Sequence, residues 1–234
     1  RAAYGMIKGA LDRGDIQPGM KLIEATSGNT GIALAMIASL FGLEIELVMP
    51  SDATRERVLT MEVYGAKVTL TPKERSMEGS IDYANDKVAQ GGYFMLNQFG
   101  NPDNYGAHYK TTGPEIWKDT SGQVTHFVSA MGTTGTIMGV SRFLKEQNPS
   151  VQIVGCQPTE GSRIPGIRKW SEAYLPKIFE KSRVDRIMDI SEEEARTMSK
   201  RLSKEEAIFC GMSSGDAVAA AIKVSKELKS GIIV

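Results

Sequence analysis

The chain has 234 residues, of which 41% are hydrophobic and 24% charged, and its 28 basic and 28 acidic side chains cancel. This balance gives no electrostatic reason to expect a nucleic acid or an anionic membrane surface as a partner, and the length suits one large or two small domains. No apolar run approaches the roughly 18 to 20 residues that a membrane-spanning helix requires, so no membrane partner is expected.

An amphipathic helix is predicted at the start of the chain, with Met6, Ile7, Ala10 and Leu11 on one side. The chain begins with Arg1 inside this helix and ends at Val234 inside an apolar stretch that reads as a strand. A buried strand is unusual at a native terminus, so we expect the sequence to be incomplete at both ends.

The segment after the first helix predicts an anion site. A short apolar strand, Leu22 to Ala25, leads into a loop of small polar residues, Thr26 to Thr30, and then into an apolar helix from Gly31 to about Leu40. The first N–H groups of a helix have no internal partner, and the helix dipole is positive there. A loop of Thr, Ser, Gly and Asn at this point, with no Lys or Arg of its own, suits a carboxylate or a phosphate.

The same arrangement recurs twice. His126 to Ala130 reads as a strand before Gly132 to Thr136 and an apolar helix that ends near Gln147. Near the end, the apolar segment IFCG reads as a strand before Met212 to Gly215 and a third apolar helix. Three such loops suggest one ligand held at several points. The alternative is that strand-to-helix turns simply favour Gly, Ser and Thr as caps.

Strands and helices alternate over the rest of the chain, which predicts an α/β fold with mostly parallel sheets flanked by helices. The further predicted strands are Ile45 to Met49, Lys67 to Leu70, Tyr93 to Leu96, Gln152 to Gln157 and Ile187 to Ile190. Ser191 and Glu194 form a capping box that opens a helix. The Pro- and Asn-rich stretch from Asn101 to Asn104 predicts a boundary between a smaller domain, residues 1–103, and a larger one, residues 104–234.

The cysteines and histidines argue against a metal site or a thiol nucleophile. Cys156 and Cys210 both lie in apolar segments without metal-ligand spacing, which predicts buried, reduced thiols and weakly favours the cytoplasm. His108 and His126 are the only histidines, so a His-rich metal site cannot be built. We expect each to be a structural residue with a satisfied hydrogen bond.

The common phosphate motifs are absent. There is no GxxxxGK[ST], and the glycines at 132, 135 and 139 do not follow the GxGxxG spacing, which argues against nucleoside triphosphates and dinucleotides. A Gly- and Thr-rich loop without a basic residue fits a monophosphate, whose charge meets backbone N–H groups and a helix dipole. Pyridoxal 5′-phosphate is such a ligand.

Several segments, in order, resemble those of the cysteine synthases (O-acetylserine sulfhydrylases), which are fold-type II pyridoxal-phosphate enzymes. They are EATSGNTGIALA, NQFGNPDN, AHYKTTGPEIW, HFVSAMGTTGTIMGVSRFLKE, PGIRKW and GMSSG. The resemblance covers essentially the whole chain. It implies two three-layer domains with the cofactor in the cleft between them, a homodimer, and replacement of the acetate of O-acetyl-L-serine by sulfide or thiosulfate through an aminoacrylate intermediate.

The resemblance also implies roles for individual residues. Thr26, Ser27, Thr30 and Gln98 would bind the substrate carboxylate, and Asn29 would contact the 3′-oxygen of the cofactor. The phosphate would lie against Gly132, Thr133, Thr134, Gly135 and Thr136, and Ser213 would contact the pyridine nitrogen. A serine hydroxyl does not hold that nitrogen protonated, so the ring is a weaker electron sink, and expulsion of a β-leaving group is favoured over transamination.

The sequence departs from the family pattern at two places. The Schiff-base lysine of the family lies in an S-x-K-D-R segment that would precede Arg1, so no catalytic residue is assigned, and little or no activity is expected of this segment alone. Asp216 replaces a small residue that is usual in the family. We interpret Asp216 as a favourable acidic residue in the first turn of a helix.

The segment PGIRKW resembles the B-type cysteine synthases. Arg168 and Lys169 could attract an anionic sulfur donor such as thiosulfate; the alternative is a solvated basic pair on a loop. Two other functions stay open. One is another fold-type II enzyme, such as cystathionine β-synthase or a serine or threonine dehydratase. The other is a non-catalytic binding protein.

Overall fold

Two parallel β-sheets, each covered by helices, organise the chain, and the computed structural model describes residues 1–234. The chain divides into one unit of residues Arg1–Asn104 and a second of residues Tyr105–Val234. The predicted α/β class with mostly parallel sheets is confirmed. None of the helices has the length and apolar composition that crossing a membrane requires.

The first unit is built on a four-stranded parallel sheet in the order β3-β2-β1-β4. Its strands are β1 (Lys21–Ala25), β2 (Ile45–Pro50), β3 (Lys67–Thr71) and β4 (Tyr93–Met95). Its helices are α1 (Ala2–Arg13), α2 (Asn29–Leu40), α3 (Arg55–Val63) and α4 (Ser76–Ala89), with a 3-10 turn at Lys73–Arg75. Every residue of β2 is buried, as expected for a central strand with helices over both faces.

The two faces of β1 pack against different helices because successive side chains of a strand point to opposite sides. Leu22 lies in a core cluster with residues of α1 and α2. Ile23 and Ala25 lie in a second cluster with Met77 and Ala84 of α4. The loop after β1 therefore leaves a strand that is fixed on both sides.

The second unit contains a three-stranded parallel sheet in the order β5-β6-β7. Its strands are β5 (His126–Ala130), β6 (Gln152–Pro158) and β7 (Arg186–Ile190). Its helices are α6 (Thr112–Asp119), α7 (Gly135–Gln147), α8 (Glu192–Glu205) and α9 (Met212–Ser225), and the boundary between the units falls within α5 (Pro102–Lys110). Beside β5, Ile233 forms a parallel bridge with His126, and Val128 N donates to the Val234 carbonyl over 2.7 Å.

Two local predictions have clear outcomes. The capping box is confirmed, since the Ser191 side chain accepts from the Glu194 N–H and the Glu194 carboxylate accepts from the Ser191 N–H. The strand predicted for the segment IFCG is wrong. Residues 208–211 have no regular structure and Phe209 is 97% exposed, so this apolar segment does not pair with a sheet.

Candidate functional site

The loop after β1 presents free backbone donors at the start of α2. The helix begins at Asn29, and Gly28 is its N-cap, with no side-chain cap hydrogen bond. The N–H groups of Asn29 and Thr30 make no hydrogen bond within the protein. Because a first turn also carries the positive end of the helix dipole, this loop can accept an anion.

The loop side chains differ in exposure. Thr26 is buried and its hydroxyl accepts from the Gly28 N–H over 3.4 Å, while Ser27 and Thr30 are half-buried and Asn29 is exposed. A Cβ on Gly31 would lie 2.7 Å from Met61 Cε and 2.9 Å from Thr26 Cγ2. A side chain at Gly31, in the first turn of α2, would therefore displace the Met61 and Thr26 side chains.

Arg57 of α3 adds a positive charge to this loop. Its Nη1 donates to the Ser27 carbonyl over 3.1 Å, and its side chain is half-buried. The sequence argument noted that the loop itself carries no Lys or Arg and did not consider this residue. No spacing pattern links residues 27 and 57; the contact exists because α3 packs beside α2.

Gln98 follows β4 in the chain and lies beside the end of β1, next to the Thr26–Thr30 loop. It is 3% exposed, and its Nε2 donates to the Ala25 carbonyl over 3.1 Å. Its backbone N–H donates to Glu24 Oε1 over 3.2 Å, and its carbonyl accepts from Asn104 Nδ2 over 2.7 Å. The first unit thus places Thr26, Ser27, Thr30 and Gln98, the residues predicted to bind the carboxylate, around one strand end, together with Asn29, which was predicted to contact the cofactor.

Glu24 is a titratable residue of this strand end that sequence reasoning missed. It is 1% exposed, and its Oε2 has no hydrogen-bond partner. Burial raises the pKa of Glu24 to about 7, against the lowering effect of hydrogen bonds with Gln98 and Asn97. The only signal in the sequence is an acidic residue inside an otherwise apolar strand.

The second loop, between β5 and α7, has the form of an anion cradle. Thr134 is the N-cap of α7 and adopts a left-handed conformation with φ of 69°, which is uncommon for a threonine. It is 4% exposed, and its Oγ1 is buried without a hydrogen-bond partner. A buried hydroxyl without a partner costs free energy unless a ligand completes it. The Gly135 N–H makes only a long 3.4 Å contact with Thr133 Oγ1.

A neighbouring loop, residues 164–170, packs against this cradle. A Cβ on Gly132 would lie 2.5 Å from the Gly166 carbonyl oxygen, so no side chain fits there. Trp170 Nε1 donates to the Gly132 carbonyl over 2.8 Å, and Arg168 N donates to the Met131 carbonyl over 3.1 Å. These contacts fix loop 164–170 against the backbone of residues 131 and 132.

The two basic residues of loop 164–170 have different environments. The Arg168 guanidinium lies 5.2 Å from the centre of the Trp170 ring. Lys169 Nζ lies 3.3 Å from Asp189 Oδ2 and 3.8 Å from Glu160 Oε2. Lys169 is therefore engaged in surface ion pairs, whereas Arg168 lies beside the indole that contacts the cradle.

Ser213 lies in the first turn of α9, a helix that packs on β5 and β6. Its side chain is half-buried and makes no hydrogen bond within the protein. A Cβ on Gly215 would lie 2.1 Å from the Ala195 carbonyl oxygen, so the start of α9 lies directly against the backbone of α8.

Asp216 does not act as a helix cap, and that interpretation was wrong. The first turn of α9 contains no acidic residue, because the helix begins at Met212. The Asp216 carboxyl is fully buried, and neither of its oxygens has a hydrogen-bond partner. Burial, reinforced by the charge of Glu194 and opposed by Lys223, raises the pKa of Asp216 to about 7.

The histidines and cysteines are placed as follows. His108 contacts Thr136 Oγ1 over 3.3 Å and Thr112 Oγ1 over 2.9 Å, and His126 Nδ1 lies 2.9 Å from Thr125 Oγ1, which confirms the expected structural hydrogen bonds. Cys156 is buried, and burial together with the Asp216 charge raises the pKa of its thiol. Cys210 is only half-buried, contrary to prediction, because it follows the exposed Phe209 rather than lying in a strand.

The cradle fits a phosphate monoester. A buried hydroxyl awaiting a partner, a helix N-terminus and a glycine that admits no Cβ occur together in the stretch 132–136. No group of three or more His, Cys, Asp or Glu side chains could hold a metal ion.

Comparisons with known proteins agree on one family. A family model described as "Pyridoxal-phosphate dependent enzyme" matches residues 1–234. The chain is 58% identical over 234 residues to Cysteine synthase B of Pseudomonas aeruginosa, covering all of this chain and 78% of that protein. It is 55% identical to Cysteine synthase B of Escherichia coli K12, covering 77% of it. A crystal structure of Cysteine Synthase (OASS) from Entamoeba histolytica matches with a TM-score of 0.93 and 38% identity, over all of this chain and 72% of that one.

Proposed function

The chain belongs to the pyridoxal-phosphate-dependent enzymes and to their cysteine synthases, and we propose that it serves L-cysteine biosynthesis. It would replace the acetate of O-acetyl-L-serine with sulfide, which gives L-cysteine, or with thiosulfate, which gives S-sulfo-L-cysteine. The observation that carries the proposal is the buried Thr134 hydroxyl, which lacks a partner within a glycine-bounded turn at the start of α7. That turn can hold the phosphate of the cofactor. When bound, pyridoxal phosphate supplies an electron sink conjugated to the substrate.

We assign the residues of the cradle to the cofactor. Gly132, Thr133, Thr134, Gly135 and Thr136 would hold the phosphate through backbone N–H groups and hydroxyls. Ser213 would donate its hydroxyl to the pyridine nitrogen and leave that nitrogen unprotonated. Asn29, whose side chain is exposed, would hydrogen-bond the 3′-oxygen.

We assign the loop after β1 to the substrate. Thr26, Ser27, Thr30 and Gln98 would bind its carboxylate, and the free N–H groups of Asn29 and Thr30 fit this charge. Arg57 would add an electrostatic contribution through its contact with the Ser27 carbonyl. By fixing the carboxylate, these groups would orient the leaving acetate relative to the cofactor.

We propose that Arg168 favours an anionic sulfur donor such as thiosulfate. Its guanidinium lies 5.2 Å from the centre of the Trp170 ring, and Trp170 contacts the cradle. The test compares rates with sulfide and thiosulfate in the native protein and in Arg168→Ala. A loss confined to thiosulfate supports the role, and an unchanged ratio of the two rates contradicts it.

The Schiff-base lysine of the family has no counterpart in an S-x-K-D-R context within residues 1–234. Lys8 of α1 forms an ion pair with Asp12, and we assign it no role. We therefore propose that this chain alone binds the cofactor without a covalent link and turns over little substrate. We also propose a smaller N-terminal domain, a larger C-terminal domain and a homodimer, which the family resemblance supports. A cytoplasmic location is supported by the two unpaired cysteines.

Two assays on the same protein test the function. The first adds pyridoxal phosphate, O-acetyl-L-serine and sulfide, and measures cysteine and acetate. The second measures binding of pyridoxine 5′-phosphate, which has no aldehyde and needs no lysine. Binding with little turnover is the expected result. One-for-one formation of cysteine and acetate would support the synthase and refute the expected inactivity. Failure of both assays would contradict the proposed function.

A further inference from the structure

Glu24 is a buried acidic residue to which the proposed reaction assigns no role. It precedes Ala25, the last residue of β1, and lies two positions before Thr26 of the carboxylate-binding loop. Its Oε1 accepts the Gln98 N–H over 3.2 Å, while its Oε2 is closed off from solvent and has no partner. A buried carboxylate anion with an unpartnered oxygen is costly, and the neutral acid is much less so.

A second glutamate of the same sheet shows how an ionised group is accommodated. Glu46 of β2 is 2% exposed, yet it receives hydrogen bonds from Lys67 over 3.0 Å and from Thr69 and Tyr93 over 2.7 Å each. Burial alone would raise the pKa of Glu46, but these hydrogen bonds and the Lys67 charge lower it. Glu24 has no cation of this kind.

The charged groups around β1 do not compensate Glu24. Because Glu46 pairs in register with Ile23, it points to the opposite face of the sheet. On that opposite face, Glu46 lies with Lys67, Tyr83 and Tyr93. Helix α4 packs on the same face and also carries Glu78, Asp82, Asp86 and Lys87. On the Glu24 face, α2 has no titratable residue, and α1 carries Tyr4, Lys8, Asp12 and Arg13.

The cations of α1, and Arg57 of α3, already have acceptors. Lys8 pairs with Asp12, and Arg13 pairs with Asp15 and Asp103 over 2.8 Å each. Arg57 donates to the Ser27 carbonyl. The only hydrogen bonds that Glu24 receives come from Gln98 and Asn97, and no charged group influences its pKa.

We propose that Glu24 is a positioning residue for the substrate, held as a neutral carboxylic acid so that it fixes Gln98 against β1 without placing a negative charge beside the substrate carboxylate. This inference rests on the proposed function, because it takes the Thr26–Thr30 loop as the carboxylate site. An anion in the loop would make ionisation of Glu24 less favourable. By linkage, binding of the anion and retention of the proton reinforce each other equally.

Infrared spectroscopy with acetate as the probe tests this inference. Acetate has no amino group, and its carboxyl group titrates well below pH 6, so its own titration does not interfere in the pH range used. The native protein should show a carboxylic-acid C=O band at pH 6 that fades towards pH 8.5, and acetate should restore part of it at pH 8. Glu24→Gln should lose the part of this band that acetate restores and keep the part that belongs to Asp216, the other buried acid with a raised pKa, whereas Asp216→Asn should keep the part that acetate restores.

Acetate affinity supplies a second measurement. Titration calorimetry should show the native affinity falling about tenfold between pH 6.5 and pH 8.5, whereas Glu24→Gln should bind with nearly the same affinity at both pH values. A merely structural role would not produce this difference in pH dependence. A cooperative thermal unfolding transition of Glu24→Gln is the control that shows the variant is folded.

The outcomes separate the inference from the function beneath it. If acetate binds but the Glu24 band is missing at pH 6, or if both proteins show the same pH dependence, the role of Glu24 is wrong and the carboxylate site stands. If acetate binds to the native protein at neither pH, the carboxylate site is wrong, and the inference falls with it.

Discussion

The indole Nε1 of Trp170 donates a 2.8 Å hydrogen bond to the carbonyl of Gly132. Gly132 begins the turn assigned to the cofactor phosphate, and Trp170 ends the neighbouring loop that carries Arg168. The shape of the phosphate turn therefore depends on a side chain 38 positions away, and changes in loop 164–170 should alter cofactor binding.

Trp170→Phe keeps most of the aromatic packing but removes the hydrogen bond. Because one hydrogen bond contributes about 1 kcal/mol, we expect pyridoxine 5′-phosphate to bind about fivefold more weakly. Isothermal titration calorimetry measures this affinity. Trp117→Phe is the matched control, since Trp117 lies in α6 and packs beside Gly122. Equal affinities of Trp170→Phe and the native protein would show that the contact does not shape the turn.

Gly132→Ala should displace the turn. The new Cβ would lie 2.5 Å from the Gly166 carbonyl oxygen, and neither backbone segment can yield without moving its loop. We expect a loss of about 1–3 kcal/mol in the free energy of unfolding, together with weaker phosphate binding. Gly106→Ala in α5, where a Cβ meets nothing within 4 Å, should leave stability unchanged or improve it. Urea unfolding distinguishes the two, and equal stabilities would contradict the steric argument.

Asp216→Ala should make the protein less sensitive to alkaline pH. The folded-state pKa of Asp216, about 7, lies above the ordinary value of 3.8, so the folded protein binds more protons between these values. The free energy of unfolding therefore falls as pH rises from about 4 to 7, by on the order of 3 kcal/mol for this group. The variant should be the more stable protein at pH 8 and lose this advantage at pH 4.5.

Urea unfolding at both pH values measures the effect of Asp216. Asp86→Ala, which removes an exposed carboxylate from α4, is the control and should show no such pH-dependent difference. Glu24 contributes a pH dependence of the same sign to both proteins, so the difference between variant and native protein isolates Asp216. A native protein more stable than Asp216→Ala at pH 8 would contradict the buried, uncompensated carboxyl.

Arg57→Ala should weaken carboxylate binding at the first loop. It removes a half-buried guanidinium and its 3.1 Å hydrogen bond to the Ser27 carbonyl. A loss of about 1 kcal/mol corresponds to a dissociation constant for acetate about fivefold higher. Arg55→Ala, at the exposed start of α3, should bind acetate as the native protein does. Equal effects of both variants would indicate general electrostatics rather than this contact.

Much of the fold could be predicted because local patterns agree with the tertiary structure. The apolar strand Leu22–Ala25 and the helix after it follow from residue type alone, as does the capping box of Ser191 and Glu194. The segment IFCG failed because its residues suit a strand but find no partner strand, and strand formation depends on pairing that the local sequence does not encode.

Candidate site residues could be recognised from the sequence where they lie in contiguous loops, and not where the arrangement depends on packing between distant segments. The turns at residues 26–30 and 132–136 could be recognised from their small residues before a helix. Distant segments meet in the contact of Arg57 with Ser27 and in the hydrogen bond from Trp170 to Gly132, and the burial of Glu24 also depends on tertiary packing. No short-range sequence pattern predicts these features. Asp216 was misinterpreted because its position near a helix start suggested a cap, whereas its burial depends on α8 and β6.

The most direct test of the account is the affinity of pyridoxine 5′-phosphate for the native protein and for Thr134→Val, which replaces the unpartnered hydroxyl with a methyl group of similar size. Isothermal titration calorimetry should show one site per chain in the native protein and binding weaker by about tenfold in the variant, since the lost hydrogen bond goes to a charged group. Equal affinities, or no binding to the native protein, would contradict the phosphate cradle.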